Sequence, residues 1–137
     1  MQQKQKLLWI EDQEIYRETA KELFGGDYQI EFAANYQQAL ERANGNYDLI
    51  VSDYHLKEGD DRTGANVHSV IRTGGVKTPF VYVSSTFPSA IEAKKESLGL
   101  REKNLVIPKA MLQDVDTALF SKIINEAKAK AGNLKRL

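Results

Sequence analysis

Four short apolar runs recur along the chain, and each closes on polar residues. Leu7-Leu8-Trp9-Ile10 leads into Glu11 and Asp12, and Leu49-Ile50-Val51 into Ser52 and Asp53. Phe80-Val81-Tyr82-Val83 leads into Ser84, and Leu105-Val106-Ile107 into Pro108 and Lys109. Runs of this length, apolar at successive positions, predict strands buried on both faces of a parallel sheet. Tyr28-Gln29-Ile30-Glu31-Phe32 alternates instead, which predicts a further strand with one wetter face at a sheet edge. Between the strands the period becomes helical. Ile15, Tyr16, Thr19, Ala20, Leu23 and Phe24 predict a first helix, stopped at Gly25-Gly26 because glycine tolerates a left-handed cap. Asn35 reads as the N-cap of a second helix carrying Tyr36, Ala39, Leu40 and Ala43, with Asn44-Gly45-Asn46 as its exit. Val67, Val70 and Ile71 predict a short third helix ending at Gly74-Gly75. Ile91 and Leu98 mark a fourth with Glu92, Lys94 and Lys95 on a polar face, expected to be the least firmly packed. Leu112, Val115, Ala118, Leu119 and Ile123 predict a fifth facing the sheet, before a fraying Lys- and Ala-rich end.

Five strands alternating with five helices predict an α/β three-layer sandwich around a parallel sheet, with right-handed crossovers. A length of 137 residues suits one domain, with its core over about residues 5–127 and a basic tail over 128–137. The formal net charge is zero, so nothing in the total asks for a polyanion, and no direct nucleic-acid contact is expected. Lys128, Lys130, Lys135 and Arg136 in the tail read as a solvated helix end. Without cysteine there is neither a disulfide framework nor a thiolate metal site. No apolar run is long enough to span a bilayer, and Met1-Gln2-Gln3-Lys4-Gln5-Lys6 lacks the apolar segment of a signal peptide. A soluble cytoplasmic protein with no membrane partner is expected.

The candidate chemistry lies where the strands end. In an open α/β sheet the carboxyl ends of the strands gather at one edge, where ligands bind. Singly, Asp12 and Ser84 could cap helices, Asp53 could serve a turn and Lys109 could lie on the surface. A capping role does not explain why an acidic pair, an aspartate, a hydroxyl and a lysine follow four buried strands on one side of a sheet. Carboxylates gathered there repel one another unless a hard divalent cation sits among them, which implies Mg²⁺. A lysine and a hydroxyl facing the acids suit a tetrahedral group of spread negative charge, most simply phosphoryl. Asp53 is then the residue placed to attack phosphorus and form an acyl phosphate.

The order Glu11-Asp12, Asp53, Ser84 and Lys109 on five βα units resembles the CheY-like receiver domains of two-component response regulators, over nearly the whole chain. The resemblance implies a flavodoxin-like sheet in the order 2-1-3-4-5. It implies that Asp53 accepts a phosphoryl group from a sensor histidine kinase or a histidine phosphotransfer protein. Asp12 and Asp53 would ligate Mg²⁺ directly with the His55 backbone carbonyl, Glu11 would act through water, and Ser84 and Lys109 would contact the phosphoryl oxygens. Such a chain is not an enzyme beyond its own phosphorylation and dephosphorylation. Its output surface would be the face of helix 4, strand 5 and helix 5, which docks a downstream protein or a second copy of the chain. Lys57 stands where the family often has proline, and the following glycine comes late, at Gly64, as if the loop carried an insertion. Val106 stands where an aromatic switch residue is expected, and His55 and Thr86 occupy the positions that set acyl-phosphate lifetime. His68 reads as a surface residue. A phosphorylation-independent interaction module with the same fold is the alternative. A haloacid-dehalogenase-like phosphatase or a Toprim-like nuclease would need an Asp-x-Asp where the chain has Glu11-Asp12-Gln13 or Asp53-Tyr54-His55.

Overall fold

The computed structural model describes residues 4–56, 61–114 and 117–135. In chain order the elements are β1 (Gln5–Ile10), α1 (Glu14–Phe24), β2 (Tyr28–Ala33), α2 (Tyr36–Arg42) and β3 (Leu49–Asp53). There follow α3 (Gly64–Thr73), β4 (Phe80–Ser84), α4 (Pro88–Ser97), β5 (Val106–Pro108), a 3₁₀ segment (Lys109–Asp114) and α5 (Thr117–Lys135). The strands pair in the order β2-β1-β3-β4-β5, all parallel, so the expected three-layer α/β sandwich is observed.

Strand parity divides the core in two. Leu7, Trp9, Leu49, Val51, Val81, Val83 and Ile107 pack on one face with Phe24 of α1 and Phe120 and Ile124 of α5. Leu8, Ile10, Ile50, Phe80 and Tyr82 pack on the other with Ala39 of α2, Val67 and Ile71 of α3 and Ile91 of α4. This follows from the two-residue period of a strand, which sends neighbours to opposite faces. On the first face Phe24 and Phe120 stack at 4.3 Å between centroids and both lie about 6 Å from the Trp9 ring, fastening α1 and α5 to β1.

Several helix faces differ from the sequence reading. Ile15 is 69% exposed and Val70 45%, so neither belongs to the core. The buried stripe of α5 is Phe120, Ile124 and Ala127, while Ala118 and Leu119 face outward; Leu112 is buried in the 3₁₀ segment, and Val115 lies outside the described residues. Gly25 keeps a right-handed φ of −65°, and a Cβ there would stand 2.4 Å from the Lys21 carbonyl oxygen. Close approach, not handedness, therefore favours glycine at the end of α1.

The largest departures are two ionisable residues. Lys95, read as part of a polar helix face, is fully buried: its Nζ donates to Glu92 Oε1 at 3.1 Å and to the Glu102 carbonyl at 2.8 Å. That anchors α4 to the segment before β5 and makes it firmer than its weak apolar pattern implies. His68, read as a surface residue, is also fully buried, stacked on Phe80 at 4.3 Å. Its Nδ1 lies 2.7 Å from the Tyr82 hydroxyl and its Nε2 2.9 Å from Glu102 Oε1, the latter as an ion-pair contact rather than an aligned hydrogen bond. Arg72 clamps the same carboxylate through Nε at 2.6 Å and Nη2 at 3.0 Å. Burial lowers the His68 pKa. A neutral ring protonated on Nε2 accepts from Tyr82 and faces Glu102 with its N–H. Burial alone would raise the Glu102 pKa, but His68 and Arg72 hold it well below the usual carboxylate range.

The two ends of the loop after β3 meet. His55 bridges to Thr63 in antiparallel fashion, the Gly64 amide donates to the Tyr54 carbonyl at 2.7 Å, and Thr63 caps α3, its Oγ1 accepting from the Ala65 amide and its own amide donating to Asn66 Oδ1 at 2.8 Å. The position of Lys57 lies outside the described residues. A Cβ at Gly64 would stand 2.6 Å from the Asp53 carbonyl oxygen and 2.7 Å from Ser52 Oγ. Gly64→Ala is therefore expected to lose about 2 kcal/mol of stability by overpacking, read as a lowered urea midpoint. A wild-type midpoint would contradict that packing.

Candidate functional site

Register places the acidic residues side by side. The β1–β3 ladder ends at Ile10↔Ser52, so Glu11 and Asp53 follow on neighbouring strands. The Glu11 amide still bonds the Ala33 carbonyl at 2.9 Å, which extends the sheet past Ile10. Glu11 and Asp53 share the parity of Trp9 and Val51, and Lys109 that of Ile107, so the same face carries all three. Lys109 Nζ lies 2.9 Å from Glu11 Oε1 and 2.9 Å from Asp53 Oδ2. Asp12 completes the group: one oxygen from each of Glu11, Asp12 and Asp53 lies within 4.8 Å of the others.

These acids are not helix caps. The N-cap of α1 is Gln13, with no side-chain cap bond, and Arg17 Nη1 donates to the Glu11 carbonyl at 2.9 Å to seat the first turn. Ser84 ends β4 one residue past Val83, the strand partner of Asp53, and so stands at the same carboxyl edge. Its Oγ accepts from the Thr86 amide at 2.8 Å. His55, exposed, lies two residues beyond Asp53, and its Nε2 is 2.7 Å from the Thr86 hydroxyl, linking the loops after β3 and β4. The structure thus brings Glu11, Asp12, Asp53 and Lys109 into contact and sets Ser84 and His55 at the ends of adjacent strands. One neighbour escaped the sequence reading. Tyr16, taken only as part of an apolar stripe, lies with its ring centroid 3.9 Å from Lys109 Nζ. The one available signal was its place in the first turn of the helix that follows Asp12.

Burial raises the pKa of Asp53, with Lys109 opposing the rise. Burial and then the Asp53 charge raise that of Glu11. Asp12 rises from 3.8 to about 6, first through burial and then through its hydrogen bond and charge contact with Glu11. Burial would lower the Lys109 pKa, but its bonds to Glu11 and Asp53 raise it on balance. One ammonium thus faces three acids, and Asp12 Oδ1 is buried without a hydrogen-bond partner. An unpartnered carboxylate oxygen beside two further acids is a donor set that fits a hard, oxygen-seeking divalent cation.

No family model matches this chain, nor does any curated protein. Solved structures do. The non-phosphorylated HemR receiver domain from Leptospira biflexa superposes with a TM-score of 0.70 at 25% identity, over 88% of this chain and 94% of that one. The chemotaxis protein CheY4 of Vibrio cholerae gives 0.72 at 18% identity, over 91% and 99%. The receiver domain of a Francisella response regulator gives 0.68 at 17% identity, over 95% and 98%. The fold is that of CheY-like response-regulator receiver domains, a flavodoxin-like sheet in the order 2-1-3-4-5.

The raised pKa of Asp12 has a definite sign in stability. A carboxyl protonated more readily when folded contributes stability below its unfolded pKa, and that contribution is lost as pH rises from 3.8 through about 6. Asp12→Asn, with no divalent cation present, is therefore expected to stabilise the fold at neutral pH by about 1 kcal/mol, after discounting for partial exposure, and to give no gain near pH 4. Urea denaturation at the two pH values checks this. A variant less stable than wild type at neutral pH would contradict it.

Proposed function

We propose that this chain is the phosphoacceptor receiver domain of a two-component phosphorelay, with residues 1–137 as a single domain. The observation that carries the proposal is the Lys109 ammonium held between Glu11 and Asp53, with the unpartnered Asp12 carboxylate beside them. Asp12, Asp53 and the His55 backbone carbonyl would hold Mg²⁺, with Glu11 acting through water. When bound, the ion supplies positive charge against the phosphoryl oxygens. An Asp53 oxygen attacks the phosphorus of a phosphohistidine on a sensor kinase or phosphotransfer protein. The new O–P bond forms as the N–P bond breaks, and the imidazole leaves to take a proton from water. Lys109, already paired with Asp53, exchanges part of that contact for a phosphoryl oxygen. Ser84 Oγ accepts from Thr86, so its own proton is available to donate to a second phosphoryl oxygen. The His55–Thr86 pair spans the loops through which a hydrolytic water reaches the acyl phosphate. The chain does no other catalysis.

Phosphorylation is read out as a change in affinity for a downstream protein, through the face of α4, β5 and α5, by which two copies could also associate. With Val106 half-buried opposite Tyr82, that face has no ring at this position to swing inward. This favours, as a second reading, an interaction module that works without phosphate. Among the described residues no helix is long and apolar enough to cross a membrane, in keeping with a proposed cytoplasmic site of action.

Incubation with Mg²⁺ and acetyl phosphate, or with a phosphohistidine donor, separates the two. Acid-labile phosphate is expected on the wild-type chain and none on Asp53→Asn. A wild-type chain that takes no phosphate from either donor contradicts the proposal.

A further inference from the structure

Lys109 is held from three sides. Two are the carboxylates of Glu11 and Asp53, and the third is the face of the Tyr16 ring. The quadrupole of an aromatic face attracts a cation, and the ring excludes water from a side that the acids leave open. The position of Tyr16 follows from α1. Ile15 points to solvent, and the next residue is turned about 100° around the helix axis, toward the ends of the strands. The amides of Tyr16 and Arg17 both donate to the Gln13 carbonyl at 3.2 Å, and Arg17 bonds the Glu11 carbonyl, so the first turn is fixed on the exit of β1. Tyr16 also walls a cleft of about 450 Å³, with Gln13, Thr19, Ser85 and Leu112, that opens on Lys109.

A lysine has a long, freely rotating stem and a strongly hydrated charge. With a solvent cleft beside it, an ammonium held by the acids alone would divide its time between them and water before a phosphoryl group arrives. We infer that Tyr16 is a positioning residue for phosphoryl transfer: its ring keeps the Lys109 ammonium between Glu11 and Asp53, within reach of the incoming phosphoryl oxygens. This role rests on the phosphoacceptor reading of the site.

Tyr16→Phe keeps the aromatic face, whereas Tyr16→Leu and Tyr16→Met keep apolar bulk without it. NMR of the Lys109 side chain needs no phosphate: its terminal methylene and ammonium protons are expected upfield in wild type and Tyr16→Phe, and at ordinary positions in the other two. Phosphorylation by acetyl phosphate is expected to stay within about twofold of wild type for Tyr16→Phe and to slow roughly tenfold for Tyr16→Leu and Tyr16→Met, with Mg²⁺ affinity unchanged. Lys109 protons that are not upfield in wild type, or aliphatic variants as fast as wild type, would overturn the role of Tyr16. A wild-type chain with upfield Lys109 protons that takes no phosphate would instead overturn the reading of the site, and with it any part for Tyr16 in transfer.

Discussion

Repulsion among Glu11, Asp12 and Asp53 sets the terms for the carboxyl end of this sheet. Two like charges at about 4.8 Å repel by about 3 kcal/mol at an effective dielectric near 20, and here three acids share one partly buried space. Lys109 offsets the Glu11 and Asp53 charges at 2.9 Å but leaves Asp12 Oδ1 without a partner. The arrangement opposes folding at neutral pH, and packing elsewhere must outweigh it. Both core faces serve that end: the Trp9–Phe24–Phe120 stack beneath the acids, and the α2, α3 and α4 contacts on the far side. Local instability held in place by a rigid scaffold is characteristic of sites kept for chemistry.

The second buried polar group makes the contrast. Around Glu102, the Arg72 clamp and the buried Lys95 meet one carboxylate and its neighbouring carbonyl, with His68 neutral and bonded to Tyr82. Every charge there has a partner, and burial of Glu102 is compensated strongly enough to depress its pKa. This network ties α3, β4, α4 and the segment before β5 into one layer, which is a structural task. The acids at the sheet edge behave oppositely: their pKa values are raised, and one oxygen lacks a bond. Around Glu102 the carboxylate meets a guanidinium and a neutral imidazole, whereas at the sheet edge, among the described residues, three acids share the single ammonium of Lys109.

How far the sequence shows this depends on whether a position's fate is decided locally. The strands were legible because burial on both faces leaves continuous apolar runs, and their order follows from the family resemblance. That the acids and Lys109 lie on one edge was legible from the polar residues closing each run. Their contacts were not, since Lys109 reaches Asp53 across 56 residues of chain. Helix faces were misread where one or two positions decide the matter: Ile15 extends the apolar pattern of α1 but points to solvent, and of the stripe Leu112, Val115, Ala118, Leu119 and Ile123, Leu112 and Ile123 pack on the core while Ala118 and Leu119 face outward and Phe120, Ile124 and Ala127 take the buried face. His68 and Lys95 were misread because an ionisable side chain is buried only if distant partners accept it, and Glu102 is 34 residues from His68 along the chain (102 − 68). Even so, His68 stands three residues from both Ala65 and Ile71, within the buried stripe of α3. Gly64, read as the mark of an insertion, is fixed by the close approach of the Asp53 carbonyl.

The most direct test of three acids that share one ammonium is to add Mg²⁺ and follow stability. Thermal unfolding across a Mg²⁺ titration at neutral pH, for wild type and Asp53→Asn, reads binding to the folded state as a rise in melting temperature. A saturable rise is expected for the wild type, together with a much smaller one when the Asp53 charge is removed. A melting temperature indifferent to Mg²⁺, or one that rises equally in both proteins, would contradict a cation site built on these three acids.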